Sequence, residues 1–157
     1  GAGSPYKLYP VAEFARALSM LAFDDDVHFL AVGSEADRPV CEQLAGAFAG
    51  PVTSIAGRLD ILELGALLRM CGVMISNDSG PMHLSAAVGT PTVALFGPTD
   101  ADRYGPRGDI HRIVWRREEC NPCKYPTCGR ESCIEKIPAE DVARAAADLC
   151  GFLDFGD

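Results

Sequence analysis

The densest run of side chains able to do chemistry is Asn77-Asp78-Ser79-Gly80, with His83 three residues further on. The apolar run Val73-Met74-Ile75 precedes it. Pro81 then opens the stretch Met82 to Val88, Gly89 stops it, and Thr92 to Phe96 runs into Gly97-Pro98-Thr99-Asp100. Asp78 or Ser79 can accept hydrogen bonds from the free N–H groups of a helix start. Pro81 suits the first helical position, and Gly89 suits the residue past the end. Strand, capped turn, helix and strand together make one βαβ unit. A turn at the carboxyl end of a parallel strand is where open α/β sheets bind ligands. A helix beginning there offers backbone N–H groups and partial positive charge, which favour a phosphate, and His83 in its first turn can add a donor. Taken singly, Asp78 and Ser79 read as caps and His83 as a surface histidine. The string as a whole points to anion binding.

A second constellation is Cys120, Cys123, Cys128 and Cys133, spaced C-x2-C-x4-C-x4-C. Four thiolates in so short a loop can wrap one tetrahedral Zn²⁺, a closed and therefore structural site. Pro122, Pro126 and Gly129 supply turns for such a wrap. A pair of disulfides, or free thiols in a reducing compartment, are the other readings. An iron–sulfur cluster has no second sign of electron transfer to support it. Residues 118–136 carry few apolar side chains, mainly Tyr125 and Ile134, so burial alone does not order them. The loop is expected to stand remote from the Asp78 turn and to support the basic segment around it. The other three of the seven cysteines, Cys41, Cys71 and Cys150, lie on apolar helix faces and read as reduced core residues. No Ser-His-Asp or Cys-His arrangement is evident, so no catalytic base is assigned.

The elements that must position these residues alternate along the chain. Pro10 to Phe23 reads as a helix with Phe14, Leu18, Leu21 and Ala22 on one face. Val27 to Val32 is a nearly continuous apolar run, as expected for a strand buried on both faces. A helix over Asp37 to Ala49 turns Val40, Leu44, Ala47 and Phe48 inward, with Gly50 as its stop. Val52 to Gly57 is the next strand. Asp60 caps a helix whose apolar side is Ile61, Leu64, Leu67, Leu68 and Cys71. After the central βαβ unit, His111 to Trp115 forms the last strand. Pro138 to Leu149 forms the last helix, closed by Gly151. This alternation defines an α/β class with a parallel sheet.

A chain of 157 residues suits one core. Its 48% hydrophobic and 23% charged residues are ordinary for a globular protein. No apolar run approaches the roughly 20 residues of a membrane span. A net charge of -8 argues against nucleic acid as a general partner. The charge is uneven, however. Residues 103–136 hold eight arginines and lysines against five carboxylates. Such a segment is either a solvated loop or a face for an anionic substrate or lipid.

Asn77-Asp78-Ser79-Gly80, His83, Ala86-Ala87 and Phe96-Gly97-Pro98-Thr99 resemble the donor-binding signature of glycosyltransferase family 9, the bacterial heptosyltransferases of lipopolysaccharide synthesis. Gly1-Ala2-Gly3-Ser4, Lys7 and Pro10 are similar to the glycine-rich loop that opens the C-terminal domain of that family. Tyr9 stands where an aromatic, often tryptophan, precedes the proline. The resemblance covers nearly the whole chain. It implies a Rossmann-like parallel sheet with helices on both faces, one half of a two-domain GT-B enzyme. Residues 1–157 are then the C-terminal sugar-nucleotide-binding domain, with the Cys-rich loop of residues 118–136 inside it. A strand would precede the opening loop, and an N-terminal acceptor domain would carry the base.

The implied reaction moves heptose, or a similar sugar, from ADP-heptose onto a lipid-anchored saccharide. It needs no catalytic cofactor, and the structural zinc above is the only metal at issue. The implied donor-binding residues are Ser4, Lys7, Glu35, Asp78, Ser79, Gly80 and His83. Lys7 would neutralise the diphosphate and Glu35 would accept the ribose hydroxyls. The implied location is the cytoplasm, at the inner face of the bacterial inner membrane, with peripheral membrane contact. The other readings are a domain of a GT-B-like sugar-nucleotide 2-epimerase and a stand-alone nucleotide-binding module with a zinc knuckle.

Overall fold

The computed structural model describes residues 2–22, 27–123 and 133–151. Within them the order is α1 (Val11–Leu21), β1 (Phe29–Ala31), α2 (Arg38–Ala47), β2 (Val52–Ser54), α3 (Ile61–Leu68), β3 (Met74–Asn77), α4 (Gly80–Ala87), β4 (Thr92–Phe96), α5 (Ala101–Tyr104), β5 (His111–Trp115) and α6 (Ala139–Cys150). All pairings are parallel, in two sheets ordered β1–β2 and β3–β4–β5 where the sequence led us to expect one. The architecture is a Rossmann-like α/β fold.

β4 is the spine of the larger sheet. Thr92-Val93-Ala94-Leu95-Phe96 is buried at every position, as a strand covered on both faces must be. Val93 and Leu95 join Val142, Ala143, Ala146 and Ala147 of α6, and Ala17 and Leu21 of α1, in the main core. Ala94 and Phe96 point the other way, into a cluster with Met82 of α4 and Ala101 of α5. Strand alternation thus assigns α1 and α6 to one face and α4 and α5 to the other.

Capping chemistry sets several helix ends where expected. Asp60 accepts from the Leu62 and Glu63 amides, and the Glu63 carboxylate answers the Asp60 N–H, which closes a capping box. Gly151 takes φ 71° as the residue beyond α6.

Three expectations about faces are corrected. β1 is covered on one side only. Phe29 and Ala31 face α1 and α2, while Leu30 is exposed, because α2 lies against the β1–β2 pair and no second helix covers its other face among the described residues. α2 turns Cys41 inward, with Phe48 buried just past its end as expected, whereas Val40 and Ala47, expected inward, are exposed. α3 places Gly65 and Leu68 inward and leaves Ile61 70% exposed. Gly65 faces α4, where a Cβ would make only ordinary contact, at 3.7 Å, with Leu84 and with Val88 just past the helix end.

His111 opens β5 and is buried, with its Nδ1 atom lacking a hydrogen-bond partner. Burial depresses its pKa below the ordinary 6.5. The unfolded chain therefore binds the proton more readily. Stability is held above the unfolded pKa and is lost as pH falls through it toward the folded value. We expect the unfolding free energy to fall more steeply between pH 7.5 and pH 5.5 in the native chain than in His111→Leu. Parallel pH profiles from urea titration would overturn this.

Candidate functional site

The turn after β3 is built by extension of the strand ladder. The Asp78 N–H donates to the Leu95 carbonyl at 3.2 Å, one step beyond the last β3 residue. Ser76, Asn77 and Asp78 are all buried. The Ser76 hydroxyl donates to the Asn77 carbonyl at 2.9 Å and lies 3.1 Å from the Ser79 hydroxyl. α4 then begins with Ser79 at the N-cap position and Pro81 in its first turn, and Gly89 beyond its end takes φ 84°. Neither Asp78 nor Ser79 caps the helix with its side chain, contrary to expectation. The Ser79 hydroxyl is turned to Ser76, and the Asp78 carboxylate meets the Lys7 ammonium at 2.6 Å. A full positive charge compensates a buried carboxylate better than the partial charge of a helix end. Among the described residues, the amides of Gly80 and Met82 have no hydrogen-bond partner.

Lys7 reaches this turn because the opening segment is pinned. Ser4 precedes a 3-10 turn over Pro5–Lys7, and the Lys7 N–H donates to the Ser4 carbonyl at 3.1 Å. The Asn77 side-chain oxygen accepts the buried Tyr9 N–H at 3.0 Å. The Tyr9 hydroxyl donates to the Ile137 carbonyl at 2.9 Å, and burial, reinforced by the nearby Glu13 charge, pushes that phenol well above its ordinary value. Asn77 therefore acts as a positioning residue. The sequence placed it in the signature string without showing this pairing across 68 positions. Lys7 keeps part of its side chain in solvent, and its ammonium has three donor hydrogens, so the Asp78 pair leaves donors for an anion. His83 is exposed in the first turn of α4.

Glu35 stands on the carboxyl edge of the other sheet, after β1. Arg38 grips both its carboxylate oxygens, at 2.9 and 2.5 Å, and this hydrogen bonding holds its pKa below the usual range. Gly57, after β2, takes φ 73°, and a Cβ there would lie 2.2 Å from a Glu35 carboxylate oxygen. The Gly57 N–H donates to the Gly33 carbonyl at 2.9 Å. Among the described residues, no hydrogen bond or ion pair joins Glu35 to the Lys7–Asp78 pair. Lys7, Asp78, Ser79, Gly80 and His83 meet at one turn, Ser4 is joined to it only through the Lys7 backbone, and Glu35 stands after β1 in the other sheet.

The Cys-rich segment is not remote. The Gly97 carbonyl, just past β4, accepts from the Trp115 indole at 3.0 Å and from the Asn121 amide at 2.7 Å. The Cys123 N–H donates to the Pro98 carbonyl at 2.8 Å. A Cβ on Gly97 would lie 2.7 Å from the Ile134 Cβ and 3.3 Å from the Cys133 sulfur. The described flanks, at Asn121–Cys123 and Cys133–Ile134, thus rest on the end of β4, the strand paired with β3. Cys120 and Cys133 are free thiols, and burial pushes the Cys133 thiol up. Cys128 lies outside the described residues. Among those residues no group of three or more Cys, His, Asp or Glu side chains is placed to hold a metal ion, so the structural zinc is not supported.

Comparison with known proteins agrees with this geometry. The sequence profile of glycosyltransferase family 9 (heptosyltransferase) matches residues 1–134. Lipopolysaccharide heptosyltransferase 3 of Escherichia coli is 31% identical over 147 residues, which span 92% of this chain and 43% of that protein. Lipooligosaccharide heptosyltransferase 2 of Campylobacter jejuni is 28% identical over 149 residues, 91% of this chain and 46% of that protein. The crystal structure of the family 9 glycosyl transferase from Veillonella parvula matches with a TM-score of 0.83 at 25% identity, covering 97% of this chain and 44% of that one.

The family profile and the relatives, with the Rossmann-like fold, define a glycosyltransferase. The chain belongs to glycosyltransferase family 9, the heptosyltransferases. It spans somewhat under half the length of the curated relatives it matches. Nothing in these likenesses favours the epimerase or the stand-alone module.

The contact at Gly97 makes a direct prediction. Gly97→Ala must displace Ile134 backbone and side chain, an overpacking cost of about 1–3 kcal/mol. A lowered urea midpoint with an unchanged slope would confirm it. An unchanged midpoint would show that the Cys133–Ile134 segment yields freely.

Proposed function

We propose that the carboxyl-edge turn at Lys7, Asp78, Ser79, Gly80 and His83 holds the diphosphate of a nucleotide-sugar donor. In this reading the chain is the C-terminal, donor-binding half of a heptosyltransferase-like enzyme. The observation that carries the reading is the Lys7–Asp78 pair at 2.6 Å beside the open first-turn amides of α4. A diphosphate placed there meets backbone N–H donors, the positive end of a helix, an ammonium with donors to spare and the exposed His83 ring. Asp78 repels phosphate and so serves as the brace that fixes Lys7. Ser4, at the start of the 3-10 turn, lies beside the same anion. Glu35 accepts the ribose hydroxyls once Arg38 gives up part of its grip, the logic by which a carboxylate reads a ribose in dinucleotide folds.

The relatives are lipopolysaccharide and lipooligosaccharide heptosyltransferases, which supports a heptose donor of the ADP-heptose type and a lipid-anchored saccharide acceptor. The reaction is displacement at the anomeric carbon. This half stabilises the charge of the departing nucleoside diphosphate, and the general base for the acceptor hydroxyl comes from the acceptor domain. Residues 1–157 then form one donor domain, working at the cytoplasmic face of the inner membrane where a lipid-anchored acceptor is presented.

Calorimetric titration with ADP tests the site, with UDP and GDP as comparisons for the base. We expect ADP to bind, and His83→Ala to weaken it by about 1–3 kcal/mol, the cost of a lost charge-assisted hydrogen bond, with an unchanged melting curve. Lys7→Met should weaken it further, with circular dichroism verifying the fold. Identical ADP affinity in all three proteins would remove the diphosphate from this turn. The purified chain should hold the donor without transferring its sugar, and turnover by the chain alone would overturn the division of labour.

A further inference from the structure

We propose that Cys120 and Cys133 are a dithiol that a small disulfide oxidises reversibly, a modification site seated on the end of β4. A dithiol uses two of the four cysteines of the segment, and these two meet at one side chain. The Cys120 thiol donates to the Asn121 Oδ1 atom at 3.9 Å. The Asn121 side chain is itself fixed, because its Nδ2 atom donates to the Gly97 carbonyl at 2.7 Å and to the Arg116 carbonyl at 3.2 Å. Cys133 reaches the same place from the other flank, since a Cβ on Gly97 would lie 3.3 Å from its sulfur. Its position is held by Ile134, which is fully buried in the main core. Cys120 and Cys133 are both free thiols. Cys120 also lies near enough for its charge to act on the Cys133 thiol.

Access sets the order of events. Cys120 is exposed and Cys133 half-buried, so the small disulfide meets Cys120 first. The Cys120 thiolate attacks one sulfur of that disulfide, whose S–S bond breaks, and the departing thiolate takes a proton. Cys120 then carries a mixed disulfide. The Cys133 thiolate attacks the Cys120 sulfur and expels the second small thiolate, which takes up the proton that Cys133 released. Two protein thiols and one small disulfide thus become one protein disulfide and two small thiols. At Cys133 burial is the larger influence and pushes the thiol up, while the Asn121 amide and the N–H groups of Cys133 and Ile134 favour the thiolate. Those donors surround the sulfur that must act second. The new bond would tie the two flanks of the segment together across Gly97, which both already touch. An excess of small thiol runs the exchange backwards, so the modification is reversible.

Incubation of the whole folded chain with oxidised glutathione tests this. Thiol titration should show the loss of two thiols, peptide mass spectrometry should find Cys120 joined to Cys133, and dithiothreitol should restore both thiols. Cys133→Ser should stall with glutathione on Cys120, and circular dichroism verifies that this variant is folded. In urea the same treatment should scatter the links among Cys120, Cys123, Cys128 and Cys133, because only the fold selects the pair. Three outcomes would overturn the proposal: a native chain that loses no thiols, a main product linked through Cys123 or Cys128, or the same mixture of links in the native chain and in urea. The measurement contains no nucleotide, so its failure leaves the donor-site reading standing.

Discussion

The hydrogen bond from the Tyr9 N–H to the Asn77 side chain is the constraint on which the candidate site depends. It ties the opening segment across the carboxyl end of β3, and it is the reason an ammonium reaches a buried carboxylate one residue away. Its neighbours make it hard to break. The Asn77 side chain is buried, so an unpaired oxygen there carries the full desolvation cost. The Tyr9 ring is fixed at its far end by the Ile137 carbonyl and meets Phe14 edge-on at 5.1 Å. The segment leading to α6, α1 and the β3 turn therefore meet at one residue. Lys7 is placed by this junction and not by its own flexible side chain.

Much of this was legible from residues three or four apart, and little from residues far apart. The α/β class followed from alternation, and β4 was marked as a strand by an unbroken apolar run, although the similar run at β1 proved to be covered on one side only. Asp60 with Glu63 and the glycine after Leu149-Cys150 marked helix ends because caps are local chemistry. The Lys7–Asp78 pair joins residues 71 positions apart, and no periodicity encodes such a contact. The resemblance gathered Lys7 and Asp78 into one site but assigned them separate tasks. The rotation of α3 was unreadable for a different reason. Ile61 to Leu68 contains one charged side chain, Glu63, and that one is spent on the cap, so apolar pattern gives no preferred face. Tertiary packing against α4 decided it, with Gly65 and Leu68 turned inward.

Gly97 shows how the described flanks of a segment with little apolar content gain a fixed place. Its carbonyl receives two side-chain donors, from Trp115 and Asn121, and its bare α-carbon admits Ile134. Ile134 is itself fully buried in the main core. The flanks of the Cys-rich segment are thus held by backbone hydrogen bonds at one end and by a single apolar anchor at the other. This is a weaker restraint than ligation. It suffices to bring Cys133 against the strand end, close to the turn that the sequence had seemed to leave apart from it.

The electrostatics of the edge follow from the same economy of partners. Two carboxylates, Asp78 and Glu35, stand along an edge read as receiving an anionic ligand, on a chain already carrying -8. Each is matched by its own cation, Lys7 and Arg38. Without ligand, each of these two pairs is therefore close to neutral. A diphosphate cannot gain from free positive charge there. It must either recruit the unused donors of Lys7 and the open amides of α4, or draw a cation away from its carboxylate. The first route keeps Asp78 compensated and costs little, because the ammonium can serve two acceptors at once. At Asp78 the second would leave a buried carboxylate unpaired, a loss comparable to the interaction gained. The geometry therefore favours a shared lysine: Asp78 holds the ammonium in place, and the phosphate completes a coordination that the protein has left unfinished.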